Sequence, residues 1–238
     1  LNISLPLSPE IDPENLLVDG KAKITDLKTK EKLGLLNLQA GSVDVILDNK
    51  GLRAKGDLLL NGVAAKIDWN QSISGNETIS SPFEITTILS RSDRKQLGID
   101  VDEYIQGDIP VALRILDKDK SDNSGPAIHI LADLTMADMT FDDFAWRKPR
   151  GRSAKLQFEV VNGKSFKTEL QNFKITGDQI AIDGWVGLGQ DQKPVEFNFM
   201  TFSTNLISRL QVQGKKNASN IWDIKALGAS FDGKDFFQ

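Results

Sequence analysis

The 238 residues include 39% hydrophobic and 26% charged side chains, enough apolar material for one large or two modest globular units and too much for a disordered chain. Lys and Arg number 29 against 33 Asp and Glu, a net charge of -4, and that acidic balance excludes a phosphate-tracking surface, so no nucleic-acid partner is expected. Cysteine is absent and histidine occurs once, which removes disulfides, thiolate nucleophiles and Cys-based zinc sites and suits a periplasmic or extracytoplasmic chain.

The dominant signal along the chain is period-two alternation in short segments separated by Gly, Asn, Asp and Ser, the pattern of half-buried antiparallel strands. Asp12-Pro13-Glu14-Asn15 is read as a turn of helix near the start. Val43, Val45 and Leu47 share one face of a strand, and Asn49-Lys50-Gly51 turns the chain into Leu52-Arg53-Ala54-Lys55-Gly56, a hairpin. Strands follow near 63–69 and 82–89. Ser90 to Gly98 opens on capping residues, lacks β-branched positions and ends on Gly, which predicts a short helix near 90–98. Further strands lie near 110–116 and 127–135, separated by a surface loop over 118–126. The basic run Trp146-Arg147-Lys148-Pro149-Arg150-Gly151-Arg152 interrupts the pattern and divides the chain into a β segment over 1–145 and a continuing antiparallel segment over 146–238. Leu156, Phe158 and Val160 form one strand face, and Asn162-Gly163 predicts a tight hairpin into a strand starting at Lys164. Strands near 179–186, at Val195-Phe197-Phe199, and near 206–213 and 220–226 complete about a dozen, the density of an all-β meander. Gln179 to Gly184 also echoes Gly51 to Gly56.

Candidate chemistry is thin. Asp117 to Gly125 places oxygen ligands at alternate positions like a calcium loop, but Asp122 stands where the loop needs Gly and Ile128 where it needs Glu, so a solvated loop is expected. His129 alternates with Ile128 and Ile130 and is expected on the polar face. With no Gly-x-Ser-x-Gly elbow there is nothing to present a serine to it. Asp142/Asp143 and Asp100/Asp102 are the acidic pairs a glycosidase would need, and are read as surface acids. No Gly-rich loop has phosphate-binding spacing. No catalytic residue, metal or cofactor is therefore expected, and the chain is read as non-enzymatic. What stands out is apolar lining, with Phe occurring 12 times against a single Tyr. A filled β-sandwich core would explain it, and so would an open sheet whose apolar face receives a hydrophobic guest.

Gly20-Lys21-Ala22-Lys23-Ile24, Gly51 to Gly56 with Leu60-Asn61-Gly62-Val63 and Ile67-Asp68-Trp69, Leu97-Gly98-Ile99, Gly107-Asp108-Ile109-Pro110-Val111, and Phe144-Ala145-Trp146-Arg147-Lys148-Pro149 together resemble the AsmA-like family of bacterial envelope proteins. More narrowly, they resemble the domain of unknown function that precedes an AsmA-like C-terminal region. The resemblance covers roughly residues 18 to 190. It implies an elongated, twisted antiparallel sheet forming an open groove, in a periplasmic protein anchored in the inner membrane that carries phospholipid toward the outer membrane. It brings no catalytic residues. The sequence starts on Leu and no secretion signal precedes the strands, so it is read as a piece of a longer protein whose anchor, and hence membrane contact, lies outside it. On this reading Val43, Val45, Leu47, Leu156, Phe158, Val160, Val195, Phe197 and Phe199 face acyl chains. The rival expectation is a structural or partner-binding β module of the envelope, with Trp146 to Arg152 meeting an envelope protein or anionic head groups.

Overall fold

A computed structural model describes residues 2–4, 17–26, 37–74, 77–80, 83–116, 127–141, 146–163, 165–204 and 209–230. The fold is mainly β, antiparallel and open rather than closed, with very little helix, as the alternation predicts. The chain divides into two compact units, Leu1–Thr87 and Ile88–Gln238. The predicted start of the second segment, residue 146, falls inside the latter.

The first unit contains β1 (Asn2–Ser4), β2 (Leu17–Thr25), β3 (Leu38–Asp48), β4 (Gly51–Leu60), β5 (Val63–Ser74), β6 (Glu77–Ser80) and the start of β7 (Phe83–Leu89), within which the division falls. Strands β1 to β5 neighbour one another in chain order, and β6 and β7 both pair with β5. The predicted hairpin is β3–β4. Asp48 pairs with Gly51 across the turn, Lys50 N–H donates to Asp48 Oδ1 at 2.8 Å, and Arg53 closes on the same carboxylate. Between β4 and β5, Asn61 and Gly62 have φ of 50° and 86°, the pair of positive values that a two-residue hairpin turn requires. The Asn61 side chain also accepts from Asn37 N–H at 2.7 Å, fastening the start of β3 to this turn.

Register then separates two faces. Ile24, Val43, Gly56 and Ile67 stand opposite one another across β2 to β5, as do Ala22, Val45, Ala54 and Trp69. On the alternate face Lys23, Asp44, Lys55 and Asp68 form a ladder of alternating charge, with Lys55 and Asp68 3.1 Å apart. These pairs are solvent-exposed, so each contributes at most about 1 kcal/mol. Their larger effect is on register, because a one-residue slip would exchange the two faces.

The second unit begins with α1 (Arg91–Gln96) and β8 (Ile105–Gln106), followed by β9 (Ile109–Leu116), β10 (Ala127–Asp133), β11 (Asp138–Phe141), β12 (Trp146–Lys148), β13 (Ala154–Val161), β14 (Thr168–Gly177), β15 (Ile180–Leu188), β16 (Pro194–Ser203), β17 (Arg209–Lys216) and β18 (Trp222–Ser230). The main order is β9-β10-β13-β14-β15-β16-β17-β18, and β12-β11-β8 form a small separate sheet. The predicted helix is α1. Ser90 Oγ accepts from Asp93 N–H while Asp93 accepts from Ser90 N–H at 2.9 Å, a reciprocal cap, and such a cap stabilises a helix start by about 1 kcal/mol. Among the described residues no helix is long and apolar enough to cross a membrane.

Two sequence expectations need correction. Asn162-Gly163 does not make a two-residue hairpin: β14 begins at Thr168, not Lys164. Glu169 accepts from Ser165 and Phe166 N–H groups, and the Phe166 ring lies 6.2 Å from that of Trp185. Anchoring Phe166 against a neighbouring strand outweighs local turn preference. The basic run at 146–152 is not a simple interruption either, because Trp146–Lys148 is strand β12 and both Trp146 and Lys148 are buried.

Candidate functional site

The second unit's main sheet carries the expected apolar stripe on one face. Ile115, Ile128, Val160, Leu170, Val186, Phe197 and Gly214 follow one another across β9 to β17, and Leu113, Ile130 and Phe158 form a parallel row. A third row runs Val111, Ala132, Leu156, Ile175, Ile182, Phe202 and Leu210. Of the residues named from the sequence, the register brings Leu156, Phe158, Val160, Phe197 and Phe199 onto this face. Val195 falls where the β15–β16 register shifts. All six are half-buried. Val43, Val45 and Leu47 share the apolar face of the first unit, where Val43 is buried and the other two are half-buried.

Burial is uneven across the second unit's face. Ile175, Ile182 and Phe202 are buried, whereas Phe158, Phe173, Phe197, Phe199 and Trp222 are half-buried. The latter rings touch in sequence: Phe158–Phe173 at 6.0 Å, Phe173–Phe199 at 5.6 Å, Phe199–Phe197 at 4.9 Å and Phe197–Trp222 at 5.2 Å between centroids. Two of these contacts skip a strand. Phe173 and Phe199 flank β15, where Gly184 stands opposite both, and Phe197 and Trp222 flank β17, where Gly214 stands opposite Phe197. Alternate strands are about 9–10 Å apart, so these rings meet only by leaning over a position with no side chain. A Cβ on Gly214 would lie 2.5 Å from the Phe197 ring. Lys216, two residues further on the same face, sets its ammonium 5.3 Å from the centre of the Trp222 ring. Its neighbour Lys215 turns to the other face and pairs with Glu196 at 2.8 Å.

The polar candidates sit elsewhere. His129 lies on the face opposite Ile128 and Ile130, across from Arg114 and Glu159, with Nε2 3.6 Å from the Glu159 carboxylate. Asp102 belongs to an ion-pair cluster: it accepts from Arg91 Nε at 2.9 Å and from Arg94 Nη2 at 2.8 Å. The Arg94 and Arg91 guanidinium groups hold its carboxyl below the usual aspartate range. The calcium-like loop, Asp142, Asp143 and the 12–15 turn lie outside the described residues. Among the described residues, no cluster of three or more His, Asp and Glu is placed to hold a metal ion.

The basic run is largely engaged within the second unit. Arg147 pairs with Asp138 at 2.9 Å and thereby depresses that carboxyl, and Arg152 pairs with Asp178 at 3.2 Å. Lys148, 1% exposed, donates to the carbonyls of Ala137 at 2.6 Å and Arg152 at 3.1 Å, and burial lowers its pKa. Trp146 stacks on Phe141 at 5.4 Å. Sequence reasoning makes this cluster a surface patch because charge alone does not reveal a buried partner. It also misses the rings of Phe173 and Trp222 as site residues, since strand bulges displace Phe173 from simple alternation and Trp222 follows a turn.

A search for a matching protein family finds none, and comparisons with characterised proteins and with solved structures find no match either.

Proposed function

We propose that the chain is part of a non-enzymatic, AsmA-like periplasmic protein that carries phospholipid between the inner and outer membranes along an apolar β face. The observation that carries this reading is the band of half-buried aromatic rings on a face whose other side is, Trp185 and Phe166 apart, lined largely by charged and amide side chains. In a finished core, rings of this size are sealed by their neighbours, whereas a surface that must accept and release tails keeps them within reach.

The energetics suit such cargo. Burying one methylene is favourable by about 0.8 kcal/mol, so a 16-carbon tail leaving water gains on the order of 10 kcal/mol before ordering costs. Neighbouring apolar positions have similar affinity, so a tail can advance without returning to water, while the head group remains solvated. The rival reading, a partner-binding module without lipid, loses its main support because most of the Trp146 to Arg152 charge is already paired or buried.

Native mass spectrometry of the chain after exposure to mixed phospholipid vesicles tests the proposal. Retained phospholipid with more than one type of head group is the expected result, and a chain that emerges lipid-free at every vesicle concentration would overturn it.

A further inference from the structure

We infer that Phe158, Phe173, Phe199, Phe197 and Trp222 form a track on which an acyl chain lies across the strands, with the phosphate of its glycerophospholipid held at Lys216. This rests on the lipid-carrying reading above and specifies where and in what orientation the lipid sits.

The direction follows from the spacing of the rings. Along a strand, side chains on one face recur about every 6.8 Å, while neighbouring strands are about 4.8 Å apart. Within β16 the Phe197 and Phe199 rings lean together to 4.9 Å, but beyond that step the ring contacts continue only from strand to strand. Across the strands, three contacts of 5.2 to 6.0 Å join Phe158 to Phe173, Phe173 to Phe199 and Phe197 to Trp222; with the Phe197–Phe199 step inside β16 they make one surface without a break, and a Cβ on Gly214 would strike the Phe197 ring. Ring faces offer an aliphatic chain broad contact without demanding a particular rotamer or register. The track therefore fits a tail that must slide better than a tail that must be fixed.

The two ends of the track differ in charge. At the Phe158 end the face continues into Ile130 and Leu113. At the Trp222 end, Lys216 places a cation over the last ring, on the same face as the track. An anion at that end gains a charge-assisted contact that an anion at the other end lacks. The complementary molecule has a long apolar tail joined to an anionic group, and a phosphodiester between tails and head group meets both requirements.

The test uses the full chain carrying Trp69→Phe, which removes the indole on the first unit's apolar face, loaded with phosphatidylglycerol whose tails carry bromine, which quenches tryptophan emission on near contact. Native mass spectrometry run in parallel records whether lipid is bound. Trp185 lies on the other face, beside Phe166, and serves as the internal control. Trp222→Phe keeps a ring in the track, so lipid should stay bound while most of the quenching is lost. Trp185→Phe should leave the quenching unchanged, and Lys216→Glu should reduce the bound phosphatidylglycerol severalfold. Bound lipid with quenching that survives Trp222→Phe would overturn the track and leave the carrier reading standing. Phosphatidylglycerol occupancy unchanged by Lys216→Glu would overturn the phosphate assignment, and no lipid by mass would remove both the track and the carrier reading.

Discussion

Phe197→Arg should lower phospholipid occupancy by about two orders of magnitude while leaving the strands folded. Phe197 is half-buried near the Trp222 end of the ring band, with Phe199 and Trp222 on either side and Gly214 opposite. A guanidinium there must either give up water beside the tail or displace the tail from the face. Placing Arg in a hydrocarbon environment costs about 3 kcal/mol, which corresponds to that loss. The folded chain escapes this cost because a half-buried Arg can extend its charged end into solvent when no lipid is present. Phe158→Glu should act in the same way at the other end of the band. Gln213→Arg, an exposed position on the opposite face, should leave occupancy unchanged. Circular dichroism read alongside lipid mass separates the explanations. If Phe197→Arg and Phe158→Glu both abolish strand structure, the rings belong to an ordinary packed core.

The largest structural effect is expected at Arg94, which is 2% exposed and donates to Asp102, to Gly107 O at 2.7 Å and to Leu89 O at 3.3 Å. One guanidinium thus ties the end of β7, the helix α1 and the approach to β9. Arg94→Met keeps much of the volume but leaves these carbonyls without their donor, at a cost of about 3 kcal/mol. Hydrogen exchange should register this as roughly a hundredfold loss of protection confined to the segment from Leu89 to Ile109, and an unchanged rate there would refute the tie. The pH dependence has a definite sign. Asp102 is held below the usual aspartate value of 3.8 in the folded chain, so its contribution is complete above that value and is lost as pH falls through the lower folded one. Asp102→Asn should reproduce the acid limit at neutral pH.

The sequence made the faces legible more readily than the connections. Val43, Val45 and Leu47 alternate with Asp44 and Ile46, and period two alone assigns Val43, Val45 and Leu47 to one face, as the pairing with Ile24 and Gly56 bears out. The reciprocal cap at Ser90 and Asp93 is likewise written locally. The ring band is only partly written that way. Register shifts between Leu170 and Phe173 and between Phe199 and Phe202 change the parity of the alternation, so a strict period-two reading loses the face midway along β14 and β16. Gly184 and Gly214 read as weak points within strands, yet Gly184 stands opposite both Phe173 and Phe199 with the β16 backbone too close for a Cβ, and a Cβ on Gly214 would strike the Phe197 ring. The small sheet has no signature in the sequence because β8, β11 and β12 span two, four and three residues, too short to establish a period. Lys148 illustrates the remaining limit: its four carbonyl partners come from 135, 137, 149 and 152, and nothing in a basic run announces that a turn will close around one of its members.

Photo-crosslinking with phospholipid that carries a diazirine in its acyl chain, followed by peptide mapping of the adducts, tests most directly whether aliphatic tails occupy the ring-bearing face. The account predicts adducts alternating along the strands, on Leu156, Phe158 and Val160 but not on Gln157 or Glu159, and on Phe197 and Phe199 but not on Glu196 or Asn198. Adducts spread equally over both faces, or confined to residues away from the rings, would contradict it.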